Sequence, residues 1–249
     1  MSKKPFGVLI LHGFTSSLDC VREVEPPLQA MGLPTRMPVL RGHSAESPEA
    51  LRGVRWPDWV ADADTALNDL LTEVEKAILV GLSMGGLVTI ELAADHEDKI
   101  DSIVLASAAL LFQNPMAPGK PLGFIRPLVG KLVKNWETPP DYADKSLEKF
   151  NTNYTWAPMD AVVSLLDFSQ AARNRLPEVK APALILHSHK DTVVDPKSAE
   201  HLLAELGTPA DQKKIVWFER TNHEIFRDCE RGAAIEAIAQ YVRGRIGAA

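Results

Sequence analysis

The sequence has few of the features that mark a disulfide-bonded or nucleic-acid-binding protein. It has 2 cysteines in 249 residues, Cys20 and Cys229, so a disulfide scaffold is excluded and two free thiols in a reducing cytosol are expected. The formal net charge is −6, and no run of five like charges occurs. The chain therefore lacks the clustered lysine and arginine that nucleic acid or an anionic membrane surface would require.

Long hydrophobic segments are also missing. The apolar run near the N-terminus, residues 6–11, is shorter than a signal-peptide core, and no small-residue cleavage site follows it. The longest apolar run, residues 103–112, is about half the length of a membrane span. We therefore expect a soluble, cytoplasmic protein with no integral membrane segment.

What the chain does contain is an alternation of strand and helix patterns. Short apolar runs at 7–11, 77–81, 100–107, 183–186 and 214–218 predict buried strands. Amphipathic stretches at 58–74, 198–206 and 231–246 predict helices between and after them. Continuous apolar strands are typical of a sheet covered on both faces, so we predict an α/β fold with a mostly parallel central sheet.

One segment interrupts this alternation. Residues 111–168 contain no clear strand pattern and are divided by Pro115, Pro118, Pro121, Pro127, Pro139, Pro140 and Pro158. Half of the chain's few aromatic residues also lie there: Phe112, Phe124, Trp136, Tyr142, Phe150, Tyr154, Trp156 and Phe168. We predict a core formed by 1–110 and 169–249, with 111–168 inserted as a helical cap.

The sharpest motif is Gly81-Leu82-Ser83-Met84-Gly85-Gly86, which follows one predicted strand and opens a predicted helix. This context is typical of a nucleophile elbow, in which a strained turn holds the serine hydroxyl clear of the sheet. Gly81 and Gly85 are needed because side chains there would collide with the neighbouring strand and helix. We therefore predict that Ser83 is a nucleophile.

A serine nucleophile needs a base, and His223 is the best placed of the seven histidines. It follows the last predicted strand, at the carboxyl edge of the sheet where sites collect in open α/β folds. The others lie on predicted helices (His96, His201), in loops (His12, His43) or on either side of Ser188 (His187, His189). Two histidines alone make a poor metal site, so we expect no metal there.

The acid that orients His223 should lie between the serine and the histidine in the chain. Asp191 follows the strand at 183–186 by a short loop. Its rival Asp195 precedes Pro196 and a helical run, and is typical of a helix N-cap. Asp167 is a remote third choice because it comes before that strand. We therefore predict Asp191.

The oxyanion formed during acyl transfer needs two hydrogen-bond donors. One is the backbone amide of Met84, at the start of the helix behind Ser83. The loop that follows the first strand supplies the second, because Gly13 lets the chain turn and present the amide of Phe14. We expect the ring of His12 to be a structural hydrogen-bonding group of this loop.

These residues together resemble the α/β-hydrolase family over nearly the whole chain, and within it bacterial carboxylesterases and monoacylglycerol lipases. The resemblance depends on the segments 11–16, 40–43, 81–86, 190–196 and 221–223. It implies Ser83, Asp191 and His223 as a catalytic triad under a cap. The chain departs from the family pattern at Asn222, where glycine is commoner, and at 187–189, where a glycine often precedes the acid.

The expected reaction is hydrolysis of a carboxylic ester through an acyl-enzyme, without a metal or organic cofactor. Haloalkane dehalogenases carry aspartate and dienelactone hydrolases carry cysteine at the position of Ser83, so both are excluded. Thioesterase, lactonase, peptidase and C–C hydrolase activities use the same triad and stay open. A non-catalytic binding protein on this scaffold is a remote alternative, because all three triad members are present.

Apolar residues of the cap suggest a lipid-like ester with a short-to-medium acyl chain and a small alcohol such as glycerol. The candidate substrate-binding residues are Phe112, Ile125, Leu128, Trp156, Leu165 and Val193. An apolar cap of this kind also allows a homodimer through the cap.

Overall fold

The runs of apolar residues form a single parallel sheet in the structure, a computed structural model that describes residues 3–113 and 133–247. In chain order the strands are β1 (Lys4–Leu11), β2 (Thr35–Arg36), β3 (Val74–Leu82), β4 (Ile100–Ala106), β5 (Asn135–Glu137), β6 (Trp156–Pro158), β7 (Ala183–Ser188) and β8 (Lys213–Phe218). Six of them form a sheet in the order β2-β1-β3-β4-β7-β8, and all neighbouring pairs are parallel. The prediction of a mostly parallel central sheet is confirmed.

Side chains on each strand alternate between two apolar layers. In β1, Leu9 and Leu11 pack into one hydrophobic core, whereas Val8 and Ile10 pack into another on the opposite face. All four are fully buried. Both faces of the sheet are therefore covered, which explains the continuous apolar run within β1.

Six α-helices lie among the described residues: α1 (Glu25–Gln29), α2 (Trp56–Glu73), α3 (Met84–Asp95), α4 (Met159–Arg175), α5 (Lys197–Glu205) and α6 (Arg231–Ile246). The apolar residues of α2, α3, α4 and α5 belong to the core that contains Leu9. Those of α1 and α6 belong to the core that contains Val8. Helices therefore cover both faces, and within 3–113 and 133–247 none is long and apolar enough to cross a membrane.

The expectation that 111–168 contains no strand is wrong for two short segments. β5 and β6 pair as an antiparallel ribbon, with Trp136 opposite Ala157. Strands of three residues, one of which ends in proline, give too short an alternation to be seen in the sequence. In addition, α4 crosses the predicted boundary at residue 168 without interruption. The division into core and cap stays a prediction.

The sheet brings four loops together at one edge. Parallel strands end at the same edge, so the segments after β1, β3, β7 and β8 meet there. These segments carry Phe14, Ser83, Asp191 and His223 respectively. Residues separated by more than 200 positions in the chain thereby become neighbours.

Candidate active site

Ser83 occupies a strained turn between β3 and α3. Its φ of 54° and ψ of −114° lie outside the ordinary regions for a residue with a side chain. The glycines around it are required by space, since a Cβ on Gly81 would lie 2.2 Å from the carbonyl oxygen of Gly85. A Cβ on Gly85 would lie 2.3 Å from the carbonyl oxygen of Leu11. This close packing holds the serine at the edge of the sheet.

A chain of hydrogen bonds joins Ser83, His223 and Asp191. The Oγ of Ser83 lies 3.0 Å from Nε2 of His223, and Nδ1 of the same ring lies 2.9 Å from Oδ2 of Asp191. With its proton on Nδ1, the imidazole donates to Asp191 and accepts from the serine hydroxyl. Nucleophile, base and acid are thus within hydrogen-bonding distance in the order that acyl transfer needs.

Asp191 is buried and its carboxylate is fully engaged. It is 1 % exposed, and Oδ1 accepts the backbone N–H groups of Val193 and Val194 at 2.9 and 2.8 Å. Burial alone would raise the pKa of this carboxyl, but the charge and hydrogen bond of His223 hold the pKa below its usual value. Asp191 is therefore ionised and can orient the imidazole.

The environment of His223 favours the imidazolium. Burial alone would lower its pKa, but the charge and hydrogen bond of Asp191, helped by Glu224 and Asp141, raise the pKa to about 9. A positive charge that forms on this ring during the reaction is therefore stabilised.

Two backbone segments border Ser83 where an oxyanion would form. Met84 is the first residue of α3, so its amide has no acceptor within the helix. The loop after β1 also lies against the serine, since a Cβ on Gly13 would lie 3.3 Å from Cβ of Ser83. Phe14, which follows Gly13, lines the same cavity as Ser83.

A pair of buried histidines supports the loop after β1. His12 donates from Nδ1 to the carbonyl oxygen of Gly13 at 2.9 Å and accepts at Nε2 from the amide of Leu40 at 3.0 Å. The ring of His43 packs edge-on against His12, with centroids 4.8 Å apart, and 6.0 Å from the ring of Trp59. Burial lowers the pKa of His12 to about 4, and burial together with His12 lowers the pKa of His43 to about 3. Both rings are therefore neutral, and the structural role expected for His12 agrees with its two hydrogen bonds.

Beside Ser83 lies a cavity of about 380 Å³. Of the sequence-predicted substrate-binding residues, Phe112, Leu165 and Val193 line it. Trp156 is not among the described residues that line it, so its role in substrate binding stays a prediction. Trp136 lines the cavity and shares a face of the β5–β6 ribbon with Ala157, which leaves Trp156 on the other face. Ile125 and Leu128 lie outside the described residues.

Sequence reasoning missed several residues of this wall. Trp136 and Tyr154 come from the predicted cap and add aromatic surface. Thr192 and Glu224 directly follow the acid and the base in the chain, and Asp141 joins them from the predicted cap. Adjacency to Asp191 and His223 could have indicated Thr192 and Glu224, whereas nothing in the local sequence indicates Asp141.

The rival candidates occupy other positions. Asp195 accepts the backbone N–H of Lys197, the first residue of α5, at 3.1 Å. This is the helix-start role that its sequence context suggested. Asp167 lies exposed on α4.

The two histidines around Ser188 have different surroundings. His187 is fully buried, with Nε2 3.6 Å from Oδ2 of Asp191, whereas His189 stacks on Trp217 with ring centroids 4.1 Å apart. Over residues 3–113 and 133–247, no three His, Cys, Asp or Glu side chains are grouped so that they could hold a metal ion.

A parallel sheet, a serine on a strained strand-to-helix turn, and an aspartate and a histidine in the loops after later strands define the class of α/β-hydrolases. The sequence matches the family described as serine aminopeptidase, S33, over residues 4–230, and the chain belongs to that family.

Similar proteins agree with this class. The thermostable monoacylglycerol lipase of Bacillus sp. (strain H-257) is 28 % identical over 98 % of this chain and 92 % of its own length. The carboxylesterase of Bacillus subtilis (strain 168) is 24 % identical over 97 % of each chain. A solved structure from work on the metagenome-derived lipolytic enzymes LipS and LipT has a TM-score of 0.87 and 26 % identity, covering 97 % of this chain and 95 % of its own. The protein is an α/β-hydrolase of the lipase and esterase type.

Proposed function

We propose that the protein hydrolyses carboxylic esters through an acyl-enzyme formed on Ser83. The observation that carries this proposal is the hydrogen-bonded chain from Ser83 through His223 to the buried Asp191. Serine is a weak nucleophile at its ordinary pKa, and a base within 3.0 Å removes that obstacle.

In the first half of the reaction, Nε2 of His223 takes the proton of the Ser83 hydroxyl while Oγ bonds to the ester carbonyl carbon. The carbonyl electron pair moves to oxygen, where the amides of Phe14 and Met84 donate hydrogen bonds to it. When the carbonyl re-forms, the bond to the alcohol oxygen breaks, and His223 gives its proton to that oxygen. Asp191 keeps the ring in the required tautomer and stabilises the imidazolium.

In the second half, water replaces the alcohol. His223 takes a proton from the water, the hydroxide oxygen bonds to the acyl carbon, and the acid leaves as Ser83 regains its proton. Every proton is moved by the same imidazole, so this cycle needs no cofactor.

The cavity supports an ester with an apolar acyl group of short to medium length. About 380 Å³ is near the lower end of ligand pockets, and Phe112, Leu165 and Val193 are apolar. Trp136 and Tyr154 support the proposal that 111–168 acts as a cap, since they come from that segment. The polar residues on the same wall suit a small alcohol such as glycerol.

The first test of this function is the variant Ser83→Ala with p-nitrophenyl butyrate. Loss of a triad serine lowers turnover by on the order of 10⁶. A fluorophosphonate probe should label the wild type and fail to label Ser83→Ala. The control is Thr65→Val on the exposed side of α2, which should retain full activity. Unchanged turnover in Ser83→Ala would refute the proposal.

A substrate panel tests the specificity. Activity on p-nitrophenyl esters from acetate to palmitate should rise with acyl length and then fall, and a monotonic fall from acetate would contradict the acyl pocket. The family description includes peptidases, so the panel includes an aminoacyl p-nitroanilide. If the anilide is cleaved faster than any ester, peptidase activity would replace esterase activity as the proposed function. The apolar residues of the predicted cap also support the proposal that two copies pair through it. Light scattering tests this homodimer, and the mass of a single chain would contradict it.

A further inference from the structure

Asp141, Thr192 and Asn222 form a closed ring of hydrogen bonds at the rim of the cavity, here called the Asp141 ring. The side-chain amide of Asn222 donates to Oδ1 of Asp141 at 2.6 Å, and the hydroxyl of Thr192 donates to Oδ2. The backbone amide of Thr192 closes the ring by donating to Oδ1 of Asn222 at 2.9 Å. Two of the bonds end on a carboxylate, which makes them stronger than bonds between neutral groups.

The ring joins the two loops that carry the acid and the base. Thr192 directly follows Asp191, and Asn222 directly precedes His223. Its third member, Asp141, comes from the inserted segment between β5 and β6. A side chain that belongs to neither loop is therefore hydrogen-bonded to the immediate neighbours of Asp191 and His223.

A second set of hydrogen bonds joins the segment that carries Asp141 to the loop that carries His223. The buried carboxylate of Asp228 accepts the backbone amide of Asn222 at 2.8 Å and those of Ala143 and Asp144 at 2.7 and 3.1 Å. Both the backbone and the side chain of Asn222 are thus held. This leaves little freedom for the residue that precedes the His223 imidazole.

We propose that Asp141 is a positioning residue, which through Thr192 and Asn222 holds Asp191 and His223 in their reactive arrangement. This proposal rests on the proposed function of Ser83. It also gives Asn222 a role, since a glycine at that position would have no side chain to complete the ring.

The proposal predicts a loss of reactivity that is shared by the ring members. Either change leaves the ring open, so Asp141→Ala and Thr192→Val should each lower kcat for p-nitrophenyl butyrate about tenfold, with KM within about twofold. The double variant should also lose about tenfold, because either change opens the same ring. Thr192→Ser keeps the hydroxyl and should restore activity.

The charge of Asp141 is tested separately. Asp141→Asn keeps an acceptor for Asn222 but removes a negative charge near His223. The other titratable groups that act on this ring are Asp191, Glu224 and His187. The pKa of His223 falls, so the acid limb of the kcat/KM profile should move to lower pH. Asp144→Asn is the matched control, since it removes one charge from the same segment, keeps a helix-capping side chain, and should leave the limb in place.

The rate of labelling by a fluorophosphonate reports on the triad without reference to a substrate. If the wild type is not labelled, the proposed function fails. If the wild type is labelled and Asp141→Ala and Thr192→Val react at the same rate, the positioning role fails. It also fails if the two losses multiply to about a hundredfold in the double variant, or if only KM or the melting temperature changes. Slower labelling of both variants, rescued by Thr192→Ser, would support it.

Discussion

His43 is buried as a neutral ring, and this makes the stability of the folded protein sensitive to acid. The ring is 4 % exposed, and Nδ1 donates to the carbonyl oxygen of Leu40 at 3.1 Å, whereas Nε2 has no hydrogen-bond partner in the described part of the chain. Its pKa is about 3 in the folded state, against about 6.5 when the chain is unfolded. Below pH 6.5 the unfolded chain binds a proton that the folded protein does not, so stability falls as pH decreases.

The size of this effect follows from proton linkage. Each pH unit between the two pKa values of one group is equivalent to about 1.4 kcal/mol. From about pH 7.5 to about pH 4.5 the loss due to His43 is therefore about 3 kcal/mol. His12, with a pKa of about 4, acts in the same direction. Glu224 acts in the opposite direction, because burial raises the pKa of its carboxyl.

Comparison with a variant isolates the contribution of His43. His43→Gln retains a donor for the carbonyl oxygen of Leu40 but does not titrate. Between about pH 7.5 and pH 4.5, its unfolding free energy should therefore fall by about 3 kcal/mol less than that of the wild type. Urea unfolding followed by tryptophan fluorescence at several pH values measures this difference. The control Thr65→Val removes no ionisable group and should follow the wild type in parallel. If the curve of His43→Gln also stays parallel to that of the wild type, the reasoning is refuted.

Three further predictions concern the base, the elbow and the core. His223 must be neutral to accept a proton, and its pKa is raised to about 9. We therefore expect kcat/KM to rise about tenfold from pH 7 to pH 8 and to level only above about pH 9, and a plateau already reached at pH 6 would contradict this. Gly85→Ala should lower the unfolding free energy by about 3 kcal/mol or more, because the new Cβ would lie 2.3 Å from the carbonyl oxygen of Leu11. Its control Gly232→Ala, with no atom within 4 Å, should be neutral or slightly stabilising in the same urea titration. Phe168→Ala removes a fully buried ring that stacks on Trp56 with ring centroids 4.8 Å apart, and it should lower the unfolding free energy by about 3–5 kcal/mol. Its control is Phe150→Ala, where the ring is 59 % exposed, which should change the unfolding free energy by less than about 0.5 kcal/mol. Equal melting temperatures for the two variants would be inconsistent with this packing.

The sequence alone was sufficient for the elements whose cause is local. A strand segment buried on both faces must be apolar, so β1, β3, β4 and β7 were recognisable from short runs. The edge strand β8 is mostly half-buried, but it also contains a short apolar run. The glycines around Ser83 likewise indicated a turn in which no Cβ fits. Chain order then suggested Asp191 and His223, and the structure brings their side chains within hydrogen-bonding distance of one another and of Ser83.

Tertiary structure alone decided the features that depend on residues far apart in the chain. Asp141 reaches Thr192 and Asn222 across 51 and 81 positions. Which of Trp136 and Trp156 lines the cavity depends on the register of the β5–β6 ribbon, and a shift of one residue would exchange the faces. The depressed pKa of His43 arises because His12 and Trp59 are packed around it. Local patterns fix what a segment can form, whereas these contacts exist only once the sheet has brought its loops to one edge.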